Sequence, residues 1–595
     1  MEKPDHRTLT TQLASDLGWL EDHCRKSPQL AAHSSELHLA AALVRNVIGP
    51  FLDGQPAIPL HIAVVGGAGT GKSTVSNMLT GAPSAEANPQ AGFTRHPIAY
   101  VAPNTAATWT GHVGFLGKLQ RLANPGPSSL DADVYQIRTV THEPKIVSLL
   151  QRFVIWDCPD MTTWAASGYV PRLLEAAALA DVIVYVASDE RYNDEIPTQF
   201  LHMLLRAGKP VVCCLTKMRE ADAPAFLAHF QKEVLSKMPG GAVCVAIPNL
   251  KPEQLADPAR LADKYRIPLV NQINVLGDPP QKARIRTVRA AANYLATSQE
   301  KLLSVAKRDI DALESWRSLV KAGQQEFDDR YRREYLASEK YQHFDEALMR
   351  LIDMLELPGV GRPVANALNI VRAPYRWLKG FVSKTMKQPE AHAMPEQAVL
   401  EGALASWLDM LQKEATQRAN SHPLWAHIEK GFAGGLANQA RERFQQGVKT
   451  FQTSIAEEVN RTARAIYEDL EKNPVALNTL RGSKFTLDVA AILGTVVAGG
   501  INWTDLILVP LAASVTQQLV EVLGARYVDH QREQTRLRQQ TLVSQHLSGP
   551  LATWLAQWPA TGGSSFERLQ LAIKRIPSAV QHLQTAITQA TAGKA

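Results

Sequence analysis

A glycine-rich segment early in the chain carries the residue types that bind phosphate. Its last residues, Gly71, Lys72 and Ser73, complete the spacing G-x-x-x-x-G-K-[ST], which begins at Gly66. In such a loop, backbone N–H groups surround a phosphate, the lysine ammonium contacts the β- and γ-phosphates, and the serine hydroxyl coordinates Mg²⁺. The pattern predicts that this chain binds a nucleoside triphosphate with magnesium.

The residues on either side of this segment predict the elements that hold it. An apolar run from Ile62 to Val65 precedes it and indicates a strand, while Val75, Met78 and Leu79 follow it at helical spacing. A strand, a glycine loop and a helix in this order place the helix N-terminus and its dipole beside the phosphate. A simple glycine turn leading into a helix is the alternative, and it leaves the lysine and the serine unexplained.

Between residues 58 and 278, strand-like and helix-like runs alternate, which predicts an α/β domain with a mostly parallel sheet flanked by helices. Ligands of such sheets bind beyond the carboxyl ends of the strands, so the residues that follow each strand are the candidates for chemistry. The strand candidates are 62–65, 153–156, 182–187, 211–215 and 242–247.

Three further stretches of this region carry suitable polar residues. Thr94 follows the glycine loop and could offer oxygen ligands to Mg²⁺ when a γ-phosphate is bound. Asp157 ends an apolar strand, where a carboxylate holds the water shell of the metal. Thr216 and Lys217 end another strand, where the lysine stem can lie over a purine base. Singly, these residues could be a loop hydroxyl, a helix cap and a solvated strand end; their order after the loop favours nucleotide binding.

In that order, residues 66–73, Thr94, Asp157-x-Pro159 and Thr216-Lys217 resemble the motifs of the translation-factor class of P-loop GTPases. The sequence Thr-Arg-x-Pro that starts at Thr94, together with a large helical C-terminal half, is most similar to the dynamin-like branch, including its bacterial members. The motif resemblance covers roughly residues 60–220. It implies that the substrate is GTP, that Mg²⁺ is the cofactor, and that loops rearrange with the γ-phosphate.

The same resemblance implies roles for individual residues. Lys72, Thr94 and Asp157 would be catalytic, and Ser73, Thr94 and Asp157 would hold the metal. The residues expected to contact the nucleotide are Gly66, Gly67, Ala68, Gly69, Thr70, Gly71, Lys72, Ser73, Thr74, Thr216 and Lys217.

Two positions depart from the family pattern. The Asp-x-x-Gly motif ends in Asp160 instead of glycine, and the charge of Asp160 near the phosphates is unfavourable unless its side chain points away. The next residue, Met161, cannot orient the attacking water, so we expect slow basal turnover. Arg219 stands where the family has the aspartate that reads guanine, and arginine offers only donors. Glu220 or Asp222 could substitute after a shift of the loop. Guanine preference is therefore implied by the resemblance alone, and ATP stays an alternative.

At 595 residues, the chain is too long for a single hydrophobic core. A net charge of +6 permits contact with anionic surfaces without requiring it. Five cysteines without metal-binding spacing, and an N-terminus without a secretion signal, predict a cytoplasmic protein. The expected segments are N-terminal helices over 1–57, a GTPase domain over 58–278, a helical bundle or stalk over 279–475, an apolar helical hairpin over 476–545 and C-terminal helices over 546–595.

Apolar residues at three- and four-residue spacing predict a long bundle helix in the C-terminal half. They are Phe444, Val448, Phe451, Ile455, Val459, Thr462, Ile466 and Leu470.

Two other segments suit either a membrane surface or a bundle. Residues 357–387 carry lysines and arginines but no acidic residue, which fits an anionic membrane or the basic outer face of a bundle helix. Residues 489–520 have Asp505 as their only charge and divide at Gly499-Gly500 into two arms too short to span a bilayer. This hairpin either dips into one leaflet or is buried. Nucleic acid is disfavoured, because few aromatic residues are interleaved with the basic ones.

These observations predict a GTP-hydrolysing large GTPase whose nucleotide state controls self-association, through the GTPase domain or the helical half, and contact with the inner face of a membrane. The alternative is a soluble nucleotide-dependent switch or ATPase that binds a protein partner.

Overall fold

The computed structural model describes residues 5–26, 31–54, 59–85, 94–103, 105, 116–117, 119–122, 133–141, 148–161, 166–339, 341–355, 395–482, 503–560 and 565–592. The chain forms two compact units. The first comprises Met1–Arg308 with Phe566–Ala595, and the second comprises Asp309–Ser565. This division is coarser than the five expected segments, whose boundaries stay a prediction; residues 279–308 and the last thirty or so residues fall in the first unit.

One sheet organises the first unit. Its strands are β1 Leu60–Gly66, β2 Ile98–Val101, β3 Gln120–Arg121, β4 Val134–Thr139, β5 Phe153–Asp157, β6 Val182–Ser188, β7 Val211–Thr216 and β8 Ala242–Ile247. Their order is β3-β4-β2-β5-β1-β6-β7-β8. Neighbouring strands are parallel except β2 and β5, which are antiparallel. The mostly parallel sheet and all five candidate strands are confirmed; β2, β3 and β4 were not foreseen.

The helices flank this sheet and form the second unit. In chain order they are α1 His6–Arg25, α2 Ala31–Leu43, α3 Gly49–Leu52, α4 Lys72–Thr80, α5 Ala166–Leu179, α6 Glu195–Arg206, α7 Ala223–Glu233, α8 Pro252–Ala256, α9 Pro258–Leu261, α10 Asp263–Gly277, α11 Pro280–Thr297, α12 Gln299–Tyr331, α13 His343–Met354, α14 Pro395–Arg418, α15 Pro423–Ala433, α16 Leu436–Glu471, α17 Pro474–Arg481, α18 Trp503–Leu523, α19 Ala525–Val543, α20 Gly549–Gln557 and α21 Ser565–Thr591. A π-helical turn, Val44–Ile48, joins α2 to α3.

The central strands are buried along their whole length, which explains their continuous apolar sequence. Every residue of β1, β5, β6 and β7 is buried, whereas β8, at the edge of the sheet, is partly exposed. Parallel strands covered by helices on both faces lose the alternation of polar and apolar residues. The apolar core on one face includes Ile62, Val64, Met78, Leu79, Ile155, Val184 and Ile273.

A buried carboxylate joins the N-terminal helices to α5. Glu175 accepts a hydrogen bond from Asn46 Nδ2 at 2.7 Å and forms ion pairs with Arg45 and His38. Burial lowers the pKa of His38, but hydrogen bonds and negative charge from Glu175 and Glu21 outweigh that effect and raise its pKa to about 9. The N-terminal helices are thus fixed to α5, at the flank of the sheet, by charged groups as well as by apolar packing.

The second unit confirms the predicted bundle helix. Within α16, all eight residues of the apolar stripe are buried, and the helix ends before Asn473. The stripe is therefore the core-facing side of this helix.

The described part of the predicted apolar hairpin is also packed inside the second unit. Helix α18 buries Leu511, Ala512, Val515 and Leu519 and packs against α13. Residues 483–502 and the basic segment 357–387 lie outside the described residues. Among the helices that the structure describes, none is both long and apolar enough to cross a bilayer.

A polar cluster lies inside this bundle. The carboxylate of Glu396 accepts hydrogen bonds from Tyr331 Oη at 2.6 Å and Gln539 Nε2 at 2.9 Å, and pairs with His343 Nε2 at 3.0 Å. Burial lowers the pKa of His343, but the charges of Glu396 and Glu346 raise it well above its usual value. The cluster links α12, α13, α14 and α19.

Candidate functional site

The glycine loop predicted to bind phosphate lies between β1 and α4. Gly69 and Gly71 have φ values of 70° and 92°, the left-handed region that glycine adopts at no steric cost. A side chain at Gly66 would collide with the carbonyl oxygen of Val186 in β6. Because α4 begins at Lys72, the loop presents the N-terminus of that helix, which includes Ser73 and Thr74 in its first turn.

Threonine side chains hold the loop in this shape. Thr70 Oγ1 donates to the carbonyl oxygen of Gly67 at 3.0 Å. Thr216, the last residue of β7, donates its hydroxyl to the carbonyl of Thr70 at 2.7 Å, with the carbonyl of Ala187 a second acceptor at 3.3 Å. The structure therefore places Thr216 against the backbone of the loop. Its contact with the base stays a prediction.

The lysine of the motif is turned into the loop. Only 5% of its side chain is exposed, and Lys72 Nζ donates to the carbonyl of Gly67 at 2.8 Å. The same ammonium forms an ion pair with the carboxylate of Asp160. The side chain of Asp160 thus points towards the position expected for the phosphate, the arrangement for which the sequence indicated an unfavourable charge. The positive charge of Lys72 is the reason that the carboxylate is stable there.

The expected metal ligands Ser73 and Asp157 lie together at the carboxyl edge of the sheet. Ser73 Oγ donates to Asp157 Oδ2 at 3.2 Å. Asp157 Oδ1 is buried and has no hydrogen-bond partner among the described residues. Burial raises the pKa of Asp157 to about 6, against the lowering effects of Lys72 and Ser73. A hydroxyl beside an unpaired carboxylate oxygen is a donor set that suits Mg²⁺.

Thr94 lies in the segment that leads to the strand beside Asp157. In the antiparallel pair of β2 and β5, Ile98 stands opposite Asp157, so the residues before Ile98 continue past the carboxyl end of β5. Among the described residues, no hydrogen bond joins Thr94 to Ser73 or Asp157. The structure brings together Lys72, Ser73 and Asp157, and the role of Thr94 stays a prediction.

The two acids that were candidates for reading guanine are both paired with cations. Arg219 Nε binds Asp222 Oδ2 at 2.6 Å, and Lys264 binds Glu220. Lys217 adopts a φ of 66°, and its N–H donates to the carbonyl of Ile247 at 3.2 Å, which joins the ends of β7 and β8. One carboxylate oxygen of each acid is therefore engaged by a cation.

A buried lysine in a glycine loop, with a serine and an aspartate beside it at the carboxyl edge of a mostly parallel sheet, defines a P-loop nucleotide-binding domain. Residues 61–217 match the model of a protein family described as 50S ribosome-binding GTPase. This part of the chain is similar to the GTPase domains of that family. Its place in the translation-factor class stays a prediction.

A solved structure described as "An oligomerised bacterial dynamin pair provides a mechanism for the long range sensing and tethering of membranes" is similar to 96% of this chain and 95% of that chain. The sequence identity is 11% and the TM-score is 0.40. A comparison with curated protein sequences gives no match.

Proposed function

We propose that this protein is a dynamin-like large GTPase that binds GTP with Mg²⁺ and hydrolyses it slowly. The observation that carries the proposal is the meeting of Lys72, Ser73 and Asp157 where β1 and β5 end. These are a cation for the phosphates and two oxygen ligands for a divalent metal, within a domain whose sequence matches a GTPase family.

Each residue has a task in this proposal. The backbone N–H groups of the loop and the ammonium of Lys72 bind the β- and γ-phosphates, and Lys72 stabilises negative charge that develops as the terminal phosphoryl group leaves. Ser73 and Asp157 would hold Mg²⁺, which supplies charge neutralisation when it is bound. Thr94 would move beside the γ-phosphate and position the attacking water. Turnover is slow because Met161, buried next to Asp160, offers no group that orients a water.

We propose that the helical unit responds to whether GTP or GDP is bound. We propose that GTP binding changes self-association and contact with an anionic membrane surface. The basic composition of residues 357–387 supports the membrane contact. The burial of Leu511, Val515 and Leu519 in α18 argues that this helix acts within the bundle. The membrane contact would therefore depend on the basic segment.

The ion pairs near the base-binding edge favour a second candidate, a nucleotide switch or ATPase with little preference for guanine. Arg219 cannot accept the bonds that guanine offers, and Glu220 and Asp222 are paired. Competition between GTP and ATP for the site decides between the two candidates.

Nucleotide binding is measured with fluorescent GTP and unlabelled competitors. Lys72→Ala should abolish triphosphate binding, and the control Lys232→Ala, at an exposed position on α7, should leave it unchanged. Equal affinity for ATP and GTP would remove the guanine assignment. Unchanged binding by Lys72→Ala would overturn the proposed site.

Membrane contact is measured by co-sedimentation with anionic liposomes, with a non-hydrolysable GTP analogue, with GDP and without nucleotide. Replacing Arg372, Arg376 and Lys379 together by glutamate should abolish pelleting, because the basic segment would then repel the anionic surface. The membrane part of the proposal fails if the wild-type protein stays in the supernatant in every nucleotide state.

A further inference from the structure

The ion pair between Lys72 and Asp160 is the feature of the site that sequence motifs do not explain. Both side chains are nearly buried, with 5% and 9% of their surfaces exposed. The residues lie 88 positions apart in the sequence. In the family motif Asp-x-x-Gly, the residue at the position of Asp160 is glycine, which has no side chain to pair with the lysine.

The carboxylate of Asp160 lies at a position that suits a phosphate oxygen. A lysine ammonium has three N–H donors. One of those on Lys72 is directed to the carbonyl of Gly67, and another is directed to Asp160. Because the lysine of this motif contacts the β- and γ-phosphates, any anion bound to its Nζ competes with them.

A second negative charge makes this competition stronger for a triphosphate than for a diphosphate. Asp157 and Asp160 are close enough that the negative charge of Asp160 contributes to raising the pKa of Asp157. A terminal phosphate that binds Lys72 would bring further negative charge close to the carboxylate of Asp160. A diphosphate adds less charge to the cluster, and its last phosphate group lies deeper in the glycine loop.

We propose that Asp160 is a specificity-determining residue that competes with the terminal phosphate of the nucleotide for Lys72. The inference rests on the proposed function, because it takes the loop to be a GTP site. In this view Asp160 weakens the preference for triphosphate over diphosphate, and it must turn away from Lys72 before GTP is fully bound. The charge of the carboxylate, rather than its shape, produces the effect.

The test compares the dissociation constants of fluorescent GDP and of a fluorescent, non-hydrolysable GTP analogue in the presence of Mg²⁺. Asp160→Asn removes the charge and keeps the shape. Since the charge acts mainly on the terminal phosphate, this variant should bind the GTP analogue at least about tenfold more tightly, and GDP at most about threefold more tightly. Asp160→Glu should keep the wild-type ratio of the two constants.

The control is Glu233→Gln, which removes an exposed carboxylate that pairs with Lys237 on the same unit. It should leave both constants unchanged. If Asp160→Asn does not fold, as judged by circular dichroism, Asp160→Gly is measured in its place with the same expected change in the ratio.

The outcomes separate the inference from the function on which it rests. An unchanged ratio in Asp160→Asn, with GTP-analogue binding intact in the wild-type protein, overturns the role of Asp160 and leaves the proposed GTPase standing. Binding of the analogue by neither protein overturns both. Binding by Asp160→Asn alone supports the inference, because the wild-type carboxylate then blocks the site.

Discussion

Thr216 offers a test of whether the phosphate loop depends on its anchor to β7. The change is Thr216→Val, which keeps the branched shape and removes the hydroxyl. In the wild-type protein this hydroxyl donates to the carbonyl of Thr70 at 2.7 Å in a buried setting. The variant leaves that carbonyl without this donor, and an unsatisfied buried group costs about 1–3 kcal/mol.

The expected rise in the dissociation constants depends on which state of the loop carries this free-energy cost. If the carbonyl of Thr70 recovers a partner only by moving, the binding-competent loop becomes less populated by the same free energy. With about 1.4 kcal/mol for each tenfold change, the dissociation constants should rise by roughly 5- to 150-fold. Because the loop holds phosphates and not the base, GDP, GTP and ATP should all weaken by a similar factor.

The assay is a fluorescence titration with GDP and GTP, with ATP as competitor, accompanied by thermal unfolding. The matched control is Thr198→Val in α6, whose hydroxyl is buried and has no hydrogen-bond partner among the described residues. This control should bind nucleotide as the wild-type protein does. The anchor is refuted if Thr216→Val binds every nucleotide with unchanged affinity. A loss restricted to guanine nucleotides would instead show that Thr216 contacts the base.

Three other variants test separate parts of the structure. Arg219→Asp should raise the preference for GTP over ATP by about tenfold in a competition assay, because it adds an acceptor where guanine has donors; an unchanged preference would show that this residue does not face the base. Phe451→Ala, at a buried position of α16, should lower the free energy of unfolding by about 3–5 kcal/mol in urea titrations, and a change below about 1 kcal/mol would contradict its place in the core. The third variant, His343→Gln, tests the polar cluster by its pH dependence. The folded pKa of His343 is raised, so its contribution is complete below the unfolded pKa of 6.5 and is lost as pH rises through the folded value. Urea unfolding from pH 6 upwards should therefore show an alkaline loss of stability in the wild-type protein that is smaller in the variant; equal slopes would exclude the cluster as its source.

The phosphate loop and the central strands could be predicted because their signals are local. The glycines, Lys72 and Ser73 occur within one short segment, and each buried strand is a continuous apolar run. The core-facing stripe of α16 was equally clear, since a single helix keeps its apolar residues at a constant spacing. In each case one stretch of sequence contains the whole pattern.

The strands β2, β3 and β4 were missed because their sequences carry weak signals. β3 consists of Gln120 and Arg121 alone, and β4 mixes polar residues with apolar ones. Their place in the sheet depends on neighbouring strands, including the antiparallel pairing of β2 with β5. Strand preferences of this kind come from tertiary contacts, which a short sequence does not display.

The ion pairs of the site could not be predicted for a similar reason. Nothing near Asp160 in the sequence indicates that its partner is Lys72, 88 residues away. The sequence indicated only that the charge of an acid at this position is unfavourable near the phosphates unless its side chain points away. Glu220 pairs with Lys264, which is 44 residues away, whereas Asp222 pairs with Arg219, only three residues away in the sequence. Electrostatic partners that are distant in the sequence are set by the fold.

Glu175 limits how α5 can move. The helix starts at Ala166, shortly after Asp160, and its buried carboxylate is held by Arg45, Asn46 and His38. If α5 slid or rotated alone, the buried carboxylate of Glu175 would lose its cationic partners, at a cost of several kcal/mol. A movement of α5 must therefore carry the N-terminal helices with it, or break the ion pairs and the hydrogen bond of Glu175.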